Sequence, residues 1–196
     1  MSNTSKLLVV TGPSGVGKTY LAQELGRLYP NHFKAVKLFS TRKPRPNEQF
    51  IDRVFITEEE FAAKKKNKEF IFDGSFHGNR YGYPKGALKP TTKHVIVNSW
   101  PAFIPKFSTL PDVVLLGLTV QSQSLPLLQQ RMRARGNTSA QIKERTILIQ
   151  RDMHDLEQLR HIIEQHGKVF TIADNQTIGK SVIPWLEATL FLQPRP

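Results

Sequence analysis

Cysteine is absent from all 196 residues. That excludes disulfides, thiolate zinc sites and a cysteine nucleophile, and it suits a reducing compartment. Long apolar runs are lacking too: the strongest, around Val113 to Val120, falls far short of the about 20 residues that span a bilayer. Met1 to Lys6 carry no basic n-region, apolar h-region or small-residue cleavage site, so a cytoplasmic protein with no membrane partner is expected. No internal repeat, low-complexity segment or interdomain linker divides the chain. Acidic residues are few, 16 against 28 Lys and Arg, giving a formal net charge of +12. Such a charge attracts polyanions, and a nucleotide is one of them. A nucleic-acid partner is not expected. The lysines at 64, 65, 66 and 68 have no interleaved aromatic residues to stack bases, and they read as a solvated helix end.

With 39% apolar residues, the length allows one sizeable core and a single domain. Leu7 to Val10 form a continuous apolar run, as a fully buried parallel strand requires. Leu21, Leu25 and Leu28 then recur at helical spacing. Further strands are expected at Ala35 to Phe39, Asp52 to Thr57, Glu69 to Phe72, His94 to Asn98, Val113 to Val120 and Val169 to Ile172. Helices are expected at Glu58 to Lys66, Ser122 to Met132, Ala140 to His166 and Ile178 to Leu192. Gly78 to Gly82 reads as a turn, and Arg133 to Ser139 as a mobile basic connection. Ile142, Ile149, Met153, Leu156, Leu159 and Ile163 make an apolar stripe that belongs to the core. The alternation predicts an α/β fold with a parallel sheet covered on both faces, and a small inserted subdomain between residues 40 and 90.

Between the first strand and the first helix lies Gly12-Pro13-Ser14-Gly15-Val16-Gly17-Lys18-Thr19, the GxxxxGK[ST] phosphate-loop pattern in its required context. The glycines let backbone N–H groups turn toward phosphate oxygens, and the helix N-terminus adds a favourable dipole. Lys18 reaches terminal phosphates, and the Thr19 hydroxyl is the expected magnesium ligand. Phosphoryl transfer leaves the protein mainly cationic clamping to do, so arginines are the next residues to seek. Arg42 and Arg45 lie in the proline-broken stretch 40–48, and Arg131, Arg135 and Arg145 flank a glycine-containing connection. His154, His161 and His166 lack the i,i+4 spacing of a helical metal pair and are taken as surface residues. Ser14 sits in no nucleophile-elbow pattern.

These pieces together resemble the guanylate kinase family. The matching segments are the loop at 12 to 19, Ser-Thr-Arg-Lys-Pro-Arg-Pro-Asn-Glu at 40 to 48, Phe-Ile-Thr-Glu-Glu-Glu-Phe at 55 to 61, Glu-Phe-Ile at 69 to 71, Gly-Asn-Arg-Tyr-Gly at 78 to 82, and Arg-x3-Arg-Gly at 131 to 136. They run in family order over nearly the whole chain. The resemblance implies a P-loop three-layer core, an α+β acceptor-binding subdomain at about 36–91 and a helical lid at about 124–145. It implies transfer from ATP, with Mg2+, to GMP or dGMP. Lys18, Arg42, Arg131 and Arg145 take the catalytic roles. Gly12, Pro13, Ser14, Gly15, Val16, Gly17, Lys18, Thr19, Tyr20, Arg135 and Asn175 form the donor-nucleotide site. Arg42, Arg45, Tyr81 and Asp73 form the acceptor site.

The chain departs from the family pattern where guanine is read. The family's guanine-binding glutamate is matched by Phe72, with Asp73 able to substitute only if the strand bulges. A family serine becomes Leu38, the tyrosine of an Asp-Tyr pair becomes Arg53, the residue after Tyr-Gly is Tyr83, and an acidic strand end becomes Asn98-Ser99-Trp100. Two alternatives follow. One is a kinase of the same fold for another phosphorylated acceptor, and the other a non-catalytic binding module, against which the intact Lys18-Thr19 weighs.

Overall fold

A computed structural model describes residues 5–44, 52–76, 78–134, 136–174 and 176–192. Five strands form a parallel sheet: β1 (Leu7–Thr11), β2 (Phe33–Ala35), β7 (His94–Ser99), β8 (Val113–Thr119) and β9 (Gly167–Thr171), in the order β2-β7-β1-β8-β9. Four more, β3 (Leu38–Ser40), β4 (Arg53–Phe55), β5 (Phe70–Phe76) and β6 (Asn79–Pro84), form a second sheet in the order β4-β3-β6-β5. The helices are α1 (Lys18–Leu28), α2 (Glu58–Lys66), α3 (Ile104–Phe107), α4 (Leu125–Ala134), α5 (Ser139–Gln158), α6 (Arg160–His166) and α7 (Ile183–Leu190).

Period-two alternation along the buried strands sends side chains into two cores, which is why the parallel strands read as unbroken apolar runs. Leu8, Val10, Leu116 and Leu118 face one core with residues of α1, α4, α5 and α7. Leu7, Val9, Val95, Val97 and Leu115 face the other, with α3, α6, Leu38 and Tyr83. Capping boxes at Thr57–Glu60 and Thr138–Gln141 start α2 and α5 by satisfying N–H groups that have no intrahelical partner.

Five expectations are corrected. The strand expected at Ala35 to Phe39 is two strands in different sheets. Val36 still donates to Ile96 of β7, but Leu38 donates to Asp52, so the chain changes sheets at Lys37. The turn expected at Gly78 to Gly82 is confined to Gly78, at φ 72°. Gly82 is inside β6, where a Cβ would stand 2.5 Å from the Phe70 ring, so this glycine serves packing rather than turning. The long helix is interrupted at Leu159 (φ −95°, ψ 3°), and α6 resumes one residue later with the apolar stripe still in phase. Arg133 and Ala134, expected in the connection, close α4. The last helix opens with a π turn, Ile178–Val182, before Pro184, whose missing N–H and ring disfavour a regular α turn there.

Edge strand β9 depends on one side-chain-free position. A Cβ on Gly167 would lie 1.8 Å from the Leu115 carbonyl oxygen, a backbone atom that cannot swing aside. Gly167→Ala is therefore expected to cost about 3 kcal/mol or more of stability, at the upper end of overpacking effects. Urea denaturation would show it, and an unchanged midpoint would contradict this packing.

Candidate active site

The phosphate loop begins where β1 ends. Gly12, Gly15 and Gly17 take φ of 144°, 84° and 116°, a left-handed series that turns successive N–H groups toward one concavity. Two of them also lack room for a side chain. A Cβ on Gly12 would stand 2.0 Å from the Leu118 carbonyl oxygen of β8, and one on Gly17 would stand 2.6 Å from Ile178 Cδ1. The loop is thus pressed against the sheet and the last helical segment. Val16 is its buried anchor, and Thr19 and Tyr20 lie in the first turn of α1, with Tyr20 exposed. Lys18 Nζ donates to the carbonyl oxygens of Gly12 at 2.6 Å and Pro13 at 2.9 Å, so its charge lies across the mouth of the loop. From α4, Arg131 donates to the Gly15 carbonyl at 3.1 Å, bringing an expected catalytic arginine to the loop. Arg145 is on α5.

One acidic residue here was missed by the sequence reading. Asp152 of α5 is buried, and its Oδ1 has no hydrogen-bond partner. Burial pushes its carboxyl up to about 7, against the opposing pull of the Lys18 charge. The signal was available: Asp152 stands on the stripe defined by Ile149 and Leu156, where an apolar residue is expected.

The second candidate region lies beside the loop. In the parallel pairing of β1 with β7, Thr11 is opposite Ser99, so Gly12 and Trp100 leave adjacent strands together. Two buried hydrogen bonds join this strand end to the second sheet: Asn98 Nδ2 to Asp52 Oδ2 at 3.0 Å, and Tyr83 OH with Ser99 Oγ at 3.0 Å. Burial raises the Tyr83 hydroxyl far above its ordinary value, so it stays a neutral partner for the serine.

Pairing in the second sheet sorts its side chains onto two faces. Arg53 and Phe55 of β4, Ser40 of β3, Tyr81 and Tyr83 of β6, and Phe72 and Gly74 of β5 share the face turned to β7. Tyr81 packs on Trp100 with ring centroids 4.2 Å apart, and Phe72 lies edge-on to Tyr83 and Phe107. The opposite face carries α2. The register of β5 does shift between Phe70 and Phe72, yet Asp73 lies on the α2 face, where its carboxylate pairs with Lys65 at 2.7 Å. Asp73 is therefore not brought together with Tyr81: the shift precedes Phe72 and leaves Phe72, not Asp73, facing β7. Arg42 sits with its guanidinium 5.1 Å from the Phe55 ring, on the face with Tyr81. Arg45, Arg135 and Asn175 lie outside the described residues.

The guanylate kinase family model matches residues 4–168. The guanylate kinase of Streptomyces kasugaensis is 40% identical over 84 residues, 42% of this chain and 40% of that protein. That of Trichormus variabilis is 32% identical over 142 residues, 70% of each. Guanylate kinase from Anaplasma phagocytophilum superposes with a TM-score of 0.65 at 18% identity, over 98% of this chain and 90% of that one, which shows the same fold.

The Asp152 carboxyl sets a pH dependence. In the unfolded chain it ionises near its ordinary 3.8, whereas the folded protein holds the proton up to about 7. Between those values the unfolded state binds fewer protons, so this contribution is full below the first value, declines as pH rises, and is gone above the second. Asp152→Asn is expected to flatten the fall of melting temperature between pH 5 and 7. Parallel profiles for both proteins would assign the dependence elsewhere.

Proposed function

The chain belongs to the guanylate kinase family, and on that premise we propose that it transfers the terminal phosphoryl group of ATP to GMP or dGMP. The observation that carries the reading is the pairing of Thr11 with Ser99. It sets a built phosphate loop and a cationic, aromatic acceptor face on adjacent strand ends, about 4.8 Å apart. In the reaction a bond forms between an acceptor phosphate oxygen and the γ-phosphorus, the bond to the bridging oxygen breaks, and ADP leaves. Lys18, already spanning the loop mouth, exchanges its carbonyl partners for donor phosphate oxygens. Arg131, held at the loop through Gly15, and Arg145 supply positive charge to the transferred group. Arg42, Arg45 and Tyr81 hold the acceptor phosphate, while Arg135 and Asn175 take their donor-base roles from the family resemblance alone.

Magnesium fits this loop. Thr19 directly follows Lys18 at the start of α1, so its hydroxyl would hold the ion together with phosphate oxygens. Bound there, the ion would neutralise charge developing on the transferred group. Residues 36–91 act as the acceptor-binding part and 124–145 as a lid whose closure excludes water. No helix among the described residues is long and apolar enough to cross a membrane. We infer a cytoplasmic enzyme, supported by the absence of cysteine.

Coupled ADP release with MgATP is expected to proceed with GMP or dGMP, and Lys18→Met is expected to lower kcat by about 10²- to 10³-fold, as loss of one transition-state charge contact does. Equal release without any acceptor, or full activity in the variant, would overturn the reading.

A further inference from the structure

We propose that Arg53 is a further guanidinium of the acceptor-phosphate clamp, on the same sheet face as the Phe55 ring that Arg42 covers. The inference rests on the kinase reading above. Arg53 and Phe55 are alternate residues of β4 and point to the same face, about 7 Å apart along the strand. The Arg42 guanidinium lies over Phe55 at 5.1 Å, and that of Arg53 lies 6.0 Å from the Tyr81 ring and 5.6 Å from the Trp100 ring. Two cations and Tyr81 therefore border one patch of the face turned toward the phosphate loop.

The hydrogen bonding of Arg53 leaves it able to act. One terminal nitrogen donates to Asp52 Oδ1, and among the described residues this is its hydrogen-bonded contact. Its Nε is buried without a partner. The other terminal nitrogen is not among the buried unpartnered atoms, and the side chain keeps 16% of its surface exposed. A guanidinium offers five donors in a planar fork suited to phosphate oxygens. Here one is spent on Asp52, which fixes the plane, and the fork's other edge remains for an anion. Asp52 is itself held from behind by Asn98 at 3.0 Å, so the arginine is anchored at the strand end that adjoins the loop. A salt bridge alone does not account for the placement. Partnering Asp52 needs one nitrogen, whereas the position of the group against two aromatic walls of the acceptor face is what an anion clamp requires.

The experiment compares wild type, Arg53→Met, Arg53→Lys and the double variant Asp52→Asn/Arg53→Met. Initial rates with MgATP are measured against a panel of nucleoside 5′-monophosphates and ribose 5-phosphate, and melting temperatures are recorded for each protein. A ground-state phosphate contact acts on KM with kcat largely kept. The expected result for Arg53→Met is a KM raised about 10- to 100-fold, the span of a charged hydrogen bond, by the same factor for every acceptor that wild type uses. Arg53→Lys recovers part of this. The double variant removes the stranded carboxylate and recovers melting temperature, but not KM. Recovery of KM in the double variant would show that Arg53 merely neutralises Asp52, and would overturn the proposal. So would an unchanged KM in Arg53→Met. If wild type uses a monophosphate other than GMP, the GMP assignment fails while the Arg53 effect is still read on that acceptor. Use of no phosphorylated acceptor overturns both.

Discussion

The two buried hydrogen bonds that leave the end of β7, Asn98 to Asp52 and Ser99 with Tyr83, decide where the second sheet stands relative to the phosphate loop. Each contributes about 1 kcal/mol net, but breaking one leaves a buried polar atom unsatisfied at about 1–3 kcal/mol. The penalty is directional, so the pair acts on position more than on overall stability. Ser99 cannot move without Thr11, its neighbour in β1, and Thr11 cannot move without Gly12. The strand end thus transmits one geometry to both halves of the site. Asp52 adds a charge to the junction, and a buried carboxylate is tolerated because both Asn98 and Arg53 face it.

Donor-side order comes from close packing of the loop backbone and from cations bonded to its carbonyls. Gly12 has no room for a Cβ against Leu118, and Gly17 has none against Ile178, so the loop is shaped by the sheet and by the π turn at Ile178–Val182. Lys18 bonds carbonyls of its own loop, and Arg131 bonds another. Both cations are therefore held near where phosphate charge arrives, which lowers the reorganisation that binding requires. Asp152 behind Lys18 fits the same scheme. Its raised carboxyl means that the nearby ammonium does not fully offset its burial, so the pair is a site of local cost rather than a stabilising bridge.

The sequence disclosed those features whose cause is local. The phosphate loop was legible because strand, glycines, lysine and helix are contiguous, and α2 was legible to the residue because Thr57 and Glu60 form its capping box. Sheet membership was not legible at Ala35 to Phe39, since a strand that changes sheets shows the same apolar spacing as one that does not. Gly78 and Gly82 look alike in sequence, yet only the first turns the chain, because the second is defined by Phe70 twelve residues upstream. The break at Leu159 left the stripe in phase and so left no mark on its period. Asp73 shows the same limit within the site. The sequence allowed a register shift, and one exists, but only the pairing shows on which face it leaves the carboxylate. Asp152 was visible as an acid on an apolar stripe, a signal overshadowed by the stripe itself.

On the acceptor-binding role proposed for it, the face of the second sheet turned to β7 states a physical trade. Where a carboxylate is expected, Phe72 packs against Tyr83 and Phe107, and Trp100 covers Tyr81. A hydrogen-bonding site rejects analogues lacking the matching group by about 10⁴- to 10⁵-fold, because buried readers are then left unpaired. Aromatic walls do not discriminate in that way, since every base offers a π face and stacking contributes about 1–3 kcal/mol to each. On the proposed acceptor role of this face, selection among bases would then come from shape, with Trp100 and Phe72 the aromatic walls, since Tyr83 is fully buried. On that proposal, binding strength would shift toward the phosphate, and Arg42 beside Phe55 and Arg53 beside Tyr81 are the cations this face offers for it. A fold that reads the base less and the anion more keeps its chemistry intact, because in-line transfer depends on where the acceptor phosphate is held, not on which edge of the base is named.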